Sequence, residues 1–178
     1  MRKGAMKTLT LLRHAKSSWA DPGTRDFDRP LNQRGRNAAQ AIGREMHTLG
    51  LAFDAIVTSP AARAVETLAE ARKGYGGTLA AREDARVYLA PPSMLLKIVA
   101  ETDDTVDRLL LVGHNPGFGL LAAALTDGDD SPLRAELAEK YPTGALAEIA
   151  LTVDHWREVA PGGGRLARFI RPRALHNS

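Results

Sequence analysis

Three short apolar runs, Thr8–Leu12, Ala55–Thr58 and Leu109–Val112, each give way to a polar or glycine-bearing turn and then to a helical pattern. Strands alternating with helices in this way define an α/β chain with a largely parallel sheet. The unbroken apolar character of Leu109–Val112 marks a strand covered on both faces. Asn32 is placed to cap a helix reaching about Leu49, with Ala38, Ile42, Met46 and Leu49 on one face. Ser59-Pro60 reads as the start of a second helix, Ser as N-cap and Pro at the first helical position, which ends near Arg72 before a Gly74–Gly77 loop. Arg86–Leu89 is predicted as a further strand. Helices are predicted over Met94–Glu101, from the Gly113–Gly117 turn to about Thr126, and over Ser131–Lys140. The period then changes. Leu146–Val153, Arg157–Ala160 and Arg165–Arg171 read as antiparallel strands, the last two joined by Pro161–Gly164.

The architecture this predicts is one α/β domain: an open, mostly parallel sheet with helices on both faces and antiparallel strands near the C-terminus. A length of 178 residues suits a single domain, and 44% hydrophobic with 25% charged residues argues against disorder. The chain has no cysteine, which excludes disulfides, a thiolate nucleophile and cysteine metal sites and fits a reducing compartment. Met1–Met6 is too short and polar for a signal peptide, and Leu9–Leu12 is far below a membrane span. A soluble, cytoplasmic protein is expected, with residues 1–6 an extension, 7–172 the domain and 173–178 a tail.

The polar groups sit where such a fold binds ligands. The first strand ends in Arg13-His14, the second leads to Arg63 near a helix N-terminus, and the Leu109–Val112 strand ends near His114. Ligands of open parallel sheets bind outside the carboxyl ends of the strands, so these four side chains would share one crevice. All can donate to phosphate oxygens, and nearby helix N-termini add backbone N–H groups and positive dipole. Imidazole with a pKa of about 6.5 is largely neutral at pH 7. If Nδ1–H of His14 is held by a carbonyl, Nε2 is left to attack phosphorus. Arg13, Arg63 and a cationic His114 would spread charge over the equatorial oxygens, and this scheme requires neither a metal nor a cofactor. The Arg-His pair alone carries little information among 18 arginines and 5 histidines; the joint placement at strand ends carries the reading.

Six segments in register then make the chain recognisable: LTLLRHAKSSW (9–19), DFDRPLNQRGRNAA (26–39), IVTSPAARAVETL (56–68), VYLAPPSMLL (87–96), LLLVGHNPGFGLLAAAL (109–125) and PTGALAEIAL (142–151). They resemble the histidine phosphatase superfamily, whose fold is phosphoglycerate mutase-like, and within it the small SixA-type phosphohistidine phosphatases. The resemblance implies a phosphorylated nucleophile at His14, phosphate contacts from Arg13, Arg63 and His114, and further contacts at Arg29, Ser17 and Asn115. Many superfamily members acting on esters carry a dedicated acidic proton donor, and none stands out here. Asp26, Asp28, Glu83 and Glu101 are candidates, each read as an ordinary solvated carboxylate. Imidazole is a far better leaving group than an alkoxide, so a phosphohistidine substrate tolerates that lack. The Arg63-to-His114 interval holds ordinary helices and strands with little room for a lid, which suits a phosphorylated protein as partner. The alternatives are a small phosphate-ester phosphatase or mutase of the same fold, and a non-catalytic module docking phosphorylated partners.

Other signals are set aside. His47 and His155 lack metal-ligand spacing, and Gly162–Gly164 has no Walker Lys-Ser/Thr. Asp127, Asp129 and Asp130 lack the glutamate of a calcium loop. Arg165, Arg168, Arg171 and Arg173 read as a solvated edge rather than a nucleic-acid surface.

Overall fold

A computed structural model describes residues 6–175. The expected N-terminal extension, apart from Met6, and the end of the tail after Leu175 lie outside the described residues. Six strands form one sheet: β1 (Met6–Arg13), β2 (Ala55–Thr58), β3 (Arg82–Glu83), β4 (Arg108–Gly113), β5 (Leu146–Thr152) and β6 (Gly164–Ile170). Their order is β3-β2-β4-β1-β5-β6. The pairs β3/β2, β2/β4 and β4/β1 are parallel, and β1/β5 and β5/β6 are antiparallel. Register sets Arg13 opposite Gly113 and Thr58 opposite Val112, so the carboxyl ends of β1, β2 and β4 finish level.

Alternate strand residues serve the two faces, as a pleated sheet requires. On one face Leu12, Leu110 and Val112 meet α1 (Gln33–Thr48) and α2 (Ala62–Tyr75) through Ile42, Met46, Ala64 and Leu68. On the other, Leu9, Leu11, Leu109 and Leu111 meet α3 (Pro92–Ala100) and α4 (Gly117–Leu125) through Leu95, Ile98, Phe118 and Leu121. Burying each such side chain is worth about 1.5–3 kcal/mol. Helix α5 (Pro132–Glu139) precedes β5, and α6 (Pro172–Leu175) packs against α1. The α1–α2 crossing depends on Gly43, where an added Cβ would lie 2.0 Å from the Ala71 carbonyl oxygen.

Three local expectations are corrected. Helix α2 begins after Ala61 rather than Ser59, because Ser59 continues the extended strand, its N–H bonded to Val112 O at 2.9 Å. Arg86–Leu89 is not a strand. Asp84 accepts from the Arg86 N–H and guanidinium, closing a 3-10 turn over Ala85–Val87, and the short strand is β3. Arg157–Ala160 is not a strand either. The Glu158 carboxylate accepts the N–H groups of Asp154 and His155, and the buried Trp156 indole donates to Val106 O, giving a 3-10 turn over Trp156–Glu158. β6 therefore pairs with β5, and Pro161–Gly164 ends a longer connection instead of closing a tight hairpin.

Candidate active site

The level strand ends bring Arg13, His14, Arg63 and His114 together. The segment after β1 is fixed through its main chain. His14 N–H donates to Gly113 O, Gly144 N–H to His14 O, and Ala15 N–H to the Thr67 hydroxyl, at 2.9, 2.9 and 2.8 Å. The next residues are tied to the α1 N-terminus, where Asn32 caps by accepting from Gly35 N–H and donates its own N–H to Lys16 O.

His14 lies at the mouth of β1 with its ring mostly buried. Nδ1 is 2.7 Å from the Ala15 carbonyl, which can only accept, so Nδ1 carries the proton and Nε2 keeps its lone pair. Burial pushes its pKa down to about 4, against the pull of the Ala15 bond and with help from Arg63, Arg13 and Arg29. The His114 ring stands 5.3 Å away, centroid to centroid, with Nε2 sharing a 2.7 Å hydrogen bond with Ser59 Oγ. Burial and the Arg63 charge push His114 down to about 3. Both imidazoles are neutral in the free site at pH 7, so the cationic His114 of the sequence argument needs a bound anion to raise it.

The arginines are held from behind. Arg13 donates to Tyr141 O at 2.8 Å, and Arg63 donates to the Asp26 carbonyl and carboxylate at 2.7 and 3.0 Å. Arg29 donates to the Ser17 hydroxyl and, at 3.0 Å, to Asp26 Oδ1, while the exposed Trp19 ring lies 3.6 Å over its guanidinium. Asn115 is bonded to Tyr141 O and to Gly119 N–H. Arg13 Nε, Arg63 Nε and His114 Nδ1 are buried and have no hydrogen-bond partner in the protein. Buried donors without partners are rare: Arg134 Nε is another, away from this cleft, but the two guanidinium groups here would find acceptors in a phosphate, as would His114 Nδ1 in the tautomer that carries its proton there. The open cleft between these groups has a volume of about 460 Å³ and is lined by Arg13, His14, Ser17, Arg29, Arg63 and Asn115, among others.

Six of the seven residues singled out in the sequence thus line one cleft, and the seventh, His114, packs against His14. Of the candidate acids, Asp26 alone belongs to the site. The Tyr88 hydroxyl, then Arg29 and Arg63, hold its carboxyl well below the usual carboxylate range. It is a counter-ion to the arginines rather than the solvated carboxylate expected. Asp28 pairs with Arg25, Glu101 pairs with Arg86, and Glu83 is exposed on β3. Thr67, Tyr88 and Tyr141 carry no signal in the sequence that marks them as site residues, and Ser59, read there only as a helix cap, instead bonds His114. Tyr88 sits in the VYLAPPS segment, and its ring packs edge-on against His114 at 5.4 Å while its hydroxyl bonds Asp26 at 2.5 Å. Among the described residues no group of three or more His, Asp or Glu is arranged to hold a metal ion.

Comparison with known proteins agrees with this fold. The sequence model of the histidine phosphatase superfamily (branch 1) matches residues 9–87. An uncharacterized protein of Mycobacterium tuberculosis is 37% identical over 164 residues, covering 91% of this chain and all of the relative. A solved structure from Agrobacterium tumefaciens, named as a phosphohistidine phosphatase SixA, is 31% identical with TM-score 0.78, over 93% of this chain and 98% of that one. One from Nakamurella multipartitia, named likewise, is 29% identical with TM-score 0.82, over 94% and 96%. The chain belongs to the histidine phosphatase superfamily and is a hydrolase of phosphorylated substrates. Within that superfamily it is of the SixA type.

Proposed function

We propose that this protein removes phosphate from phosphohistidine on a protein, in the cytoplasm, through a phosphohistidine intermediate on His14. Nε2 of His14 attacks phosphorus in line as the bond from phosphorus to the substrate imidazole breaks. With its other ring nitrogen protonated, the substrate imidazole keeps the electron pair of that bond and departs as neutral imidazole, so no protein acid is consumed in this step. Water then hydrolyses the new phosphorus–Nε2 bond, releasing phosphate and regenerating His14. Arg13, Arg63 and His114 surround the transferring group, with Arg29, Ser17 and Asn115 at its edge, and stabilise the charge on its oxygens.

The observation that carries the substrate class is the state of Asp26. Asp26, the candidate acid bonded to the site arginines, is held ionised by Tyr88, Arg29 and Arg63, so it has no proton for an alkoxide leaving group. A phosphoramidate makes little demand for one. The names of the SixA relatives point the same way. Among the described residues no helix is long and apolar enough to cross a membrane.

The test compares phosphate release from a phosphohistidine-bearing protein with release from a panel of phosphate esters, using His14→Ala as control. Faster release from the phosphoramidate is expected, through an acid-labile, base-stable phosphoenzyme that His14→Ala lacks. A preference for esters, or an unchanged phosphoenzyme in that variant, overturns the reading.

A further inference from the structure

The catalytic cleft does not end beside His14. Lys16 and Thr143, which line it, also line a second groove of about 480 Å³ running between the first turn of α1 and α6. Arg34, Lys140 and Arg173 line that groove over a floor that includes Pro142 and Pro172, and no carboxylate or aromatic ring contributes to it. Beyond Lys140 and Arg173 it continues to Arg171, whose charge is met by Glu136 at 3.1 Å. Lys16, Arg34, Lys140 and Arg173 have no ion-pair partner among the described residues and are exposed. Elsewhere Arg25, Arg82, Arg86 and Arg108 each face a carboxylate, while the exposed Arg44, Lys97, Arg157 and Arg165 are unpaired among the described residues too but line neither this groove nor its continuation. Four uncompensated cations therefore line one groove that adjoins the cleft holding the nucleophile.

We infer that this groove docks an acidic polypeptide segment adjoining the phosphorylated residue of the substrate protein, an inference that rests on the phosphohistidine reading above. An extended chain advances roughly 3.3 Å per residue, so a few residues bearing Asp or Glu reach from the cleft past Lys16 and Arg34 to Lys140 and Arg173. The cations supply encounter rate and register, while the cleft supplies the chemistry. A single-stranded nucleic acid would call for stacking rings, which this lining lacks. A membrane surface would meet a flat or convex face rather than a groove.

The experiment measures binding and turnover separately. A fluorescein-labelled ten-residue oligoglutamate is titrated into the full chain and into Lys140→Glu/Arg173→Glu, with Lys140→Ala/Arg173→Ala as a milder pair. Phosphoimidazole hydrolysis is followed alongside. The expected result is peptide binding that weakens at least tenfold on charge reversal, less on alanine substitution, and further with added salt. Phosphoimidazole turnover should stay within twofold of wild type in both variants. Absence of peptide binding, binding indifferent to the substitutions, or tighter binding of an RNA oligonucleotide or phosphatidylserine vesicles overturns the inference. Charge-sensitive peptide binding in a protein that does not hydrolyse phosphohistidine would sink the catalytic reading and leave the docking surface standing.

Discussion

Asp26 meets Arg63 twice: its carbonyl oxygen accepts from Nη1 at 2.7 Å and its carboxylate from Nη2 at 3.0 Å. Arg63 is almost wholly buried, so Asp26, the first residue of a 3-10 turn over Asp26–Asp28, supplies both the counter-charge and the aim of the Arg63 guanidinium. Asp26→Asn keeps the shape and removes the charge. The expected cost is about tenfold in kcat/KM, about 1.4 kcal/mol, on phosphoimidazole and on an aryl phosphate alike. A proton donor would behave differently, with a loss of about a hundredfold or more confined to the ester. Steady-state kinetics on the two substrates separates a positioning residue from an acid.

The Thr67 hydroxyl links α2 to the catalytic segment, accepting from Ala15 N–H at 2.8 Å and donating to Arg63 O at 2.6 Å, all of it buried. Thr67→Val keeps the volume and leaves the Ala15 donor without a partner. A loss of about 1–3 kcal/mol in urea unfolding is expected, with Thr67→Ser recovering most of it. Equal stability of the valine variant would show that the Ala15 N–H finds another acceptor.

How much of this was legible follows from which contacts are local. β1, β2 and β4 declared themselves because both faces are covered and their centres are mostly apolar. Arg13, His14 and His114 followed because they stand where those strands stop. Asn32 caps the helix expected of it, since capping is a matter of a few adjacent residues, and the helix predicted from Ser131 starts there with Ser131 as its cap. Arg86–Leu89 and Arg157–Ala160 misled for the converse reason. Their β-rich composition serves burial of Val87 and Trp156, while Asp84 and Glu158 bond the neighbouring backbone into turns. Tyr141 was invisible as a site residue because its carbonyl reaches Arg13 from 128 residues away, and no spacing encodes that pairing. Asp26 was noticed, but its role depends on Tyr88, 62 residues on.

Gly35 sets how closely α1 approaches the catalytic segment. A Cβ there would lie 2.1 Å from Lys16 O and 2.9 Å from Lys16 N, both main-chain atoms, so one must move. Gly35→Ala should cost about 1–3 kcal/mol, like other overpacked sites, and lower kcat/KM at least tenfold by displacing the segment that carries His14. Gly50 has a φ of 66° and open space around it, so Gly50→Ala should cost about 1 kcal/mol and leave kcat/KM unchanged. Paired unfolding and kinetic measurements test the contrast. A Gly35 variant that loses stability but keeps full activity would show that the approach matters for folding alone.

The two histidines make the free site sensitive to acid in a defined direction. His14 is pushed down to about 4 and His114 to about 3, in each case chiefly by burial, against about 6.5 in an unfolded chain. Below pH 6.5 the unfolded state binds protons that the folded state refuses, so stability falls as pH drops toward 4. For His14 the full loss is about 3 kcal/mol, and none of it is felt above pH 7. Titration of the imidazole Cε1 resonances should find both rings neutral at pH 5.5. Inorganic phosphate should move the His114 midpoint upward, because a dianion beside the ring favours imidazolium. The urea midpoint should fall between pH 7 and pH 4.5, and fall less in His14→Gln. A His14 midpoint near 6.5 in the free protein would mean that the ring is wetter than its burial shows, and that Nε2 is protonated over much of the acid range where it must attack.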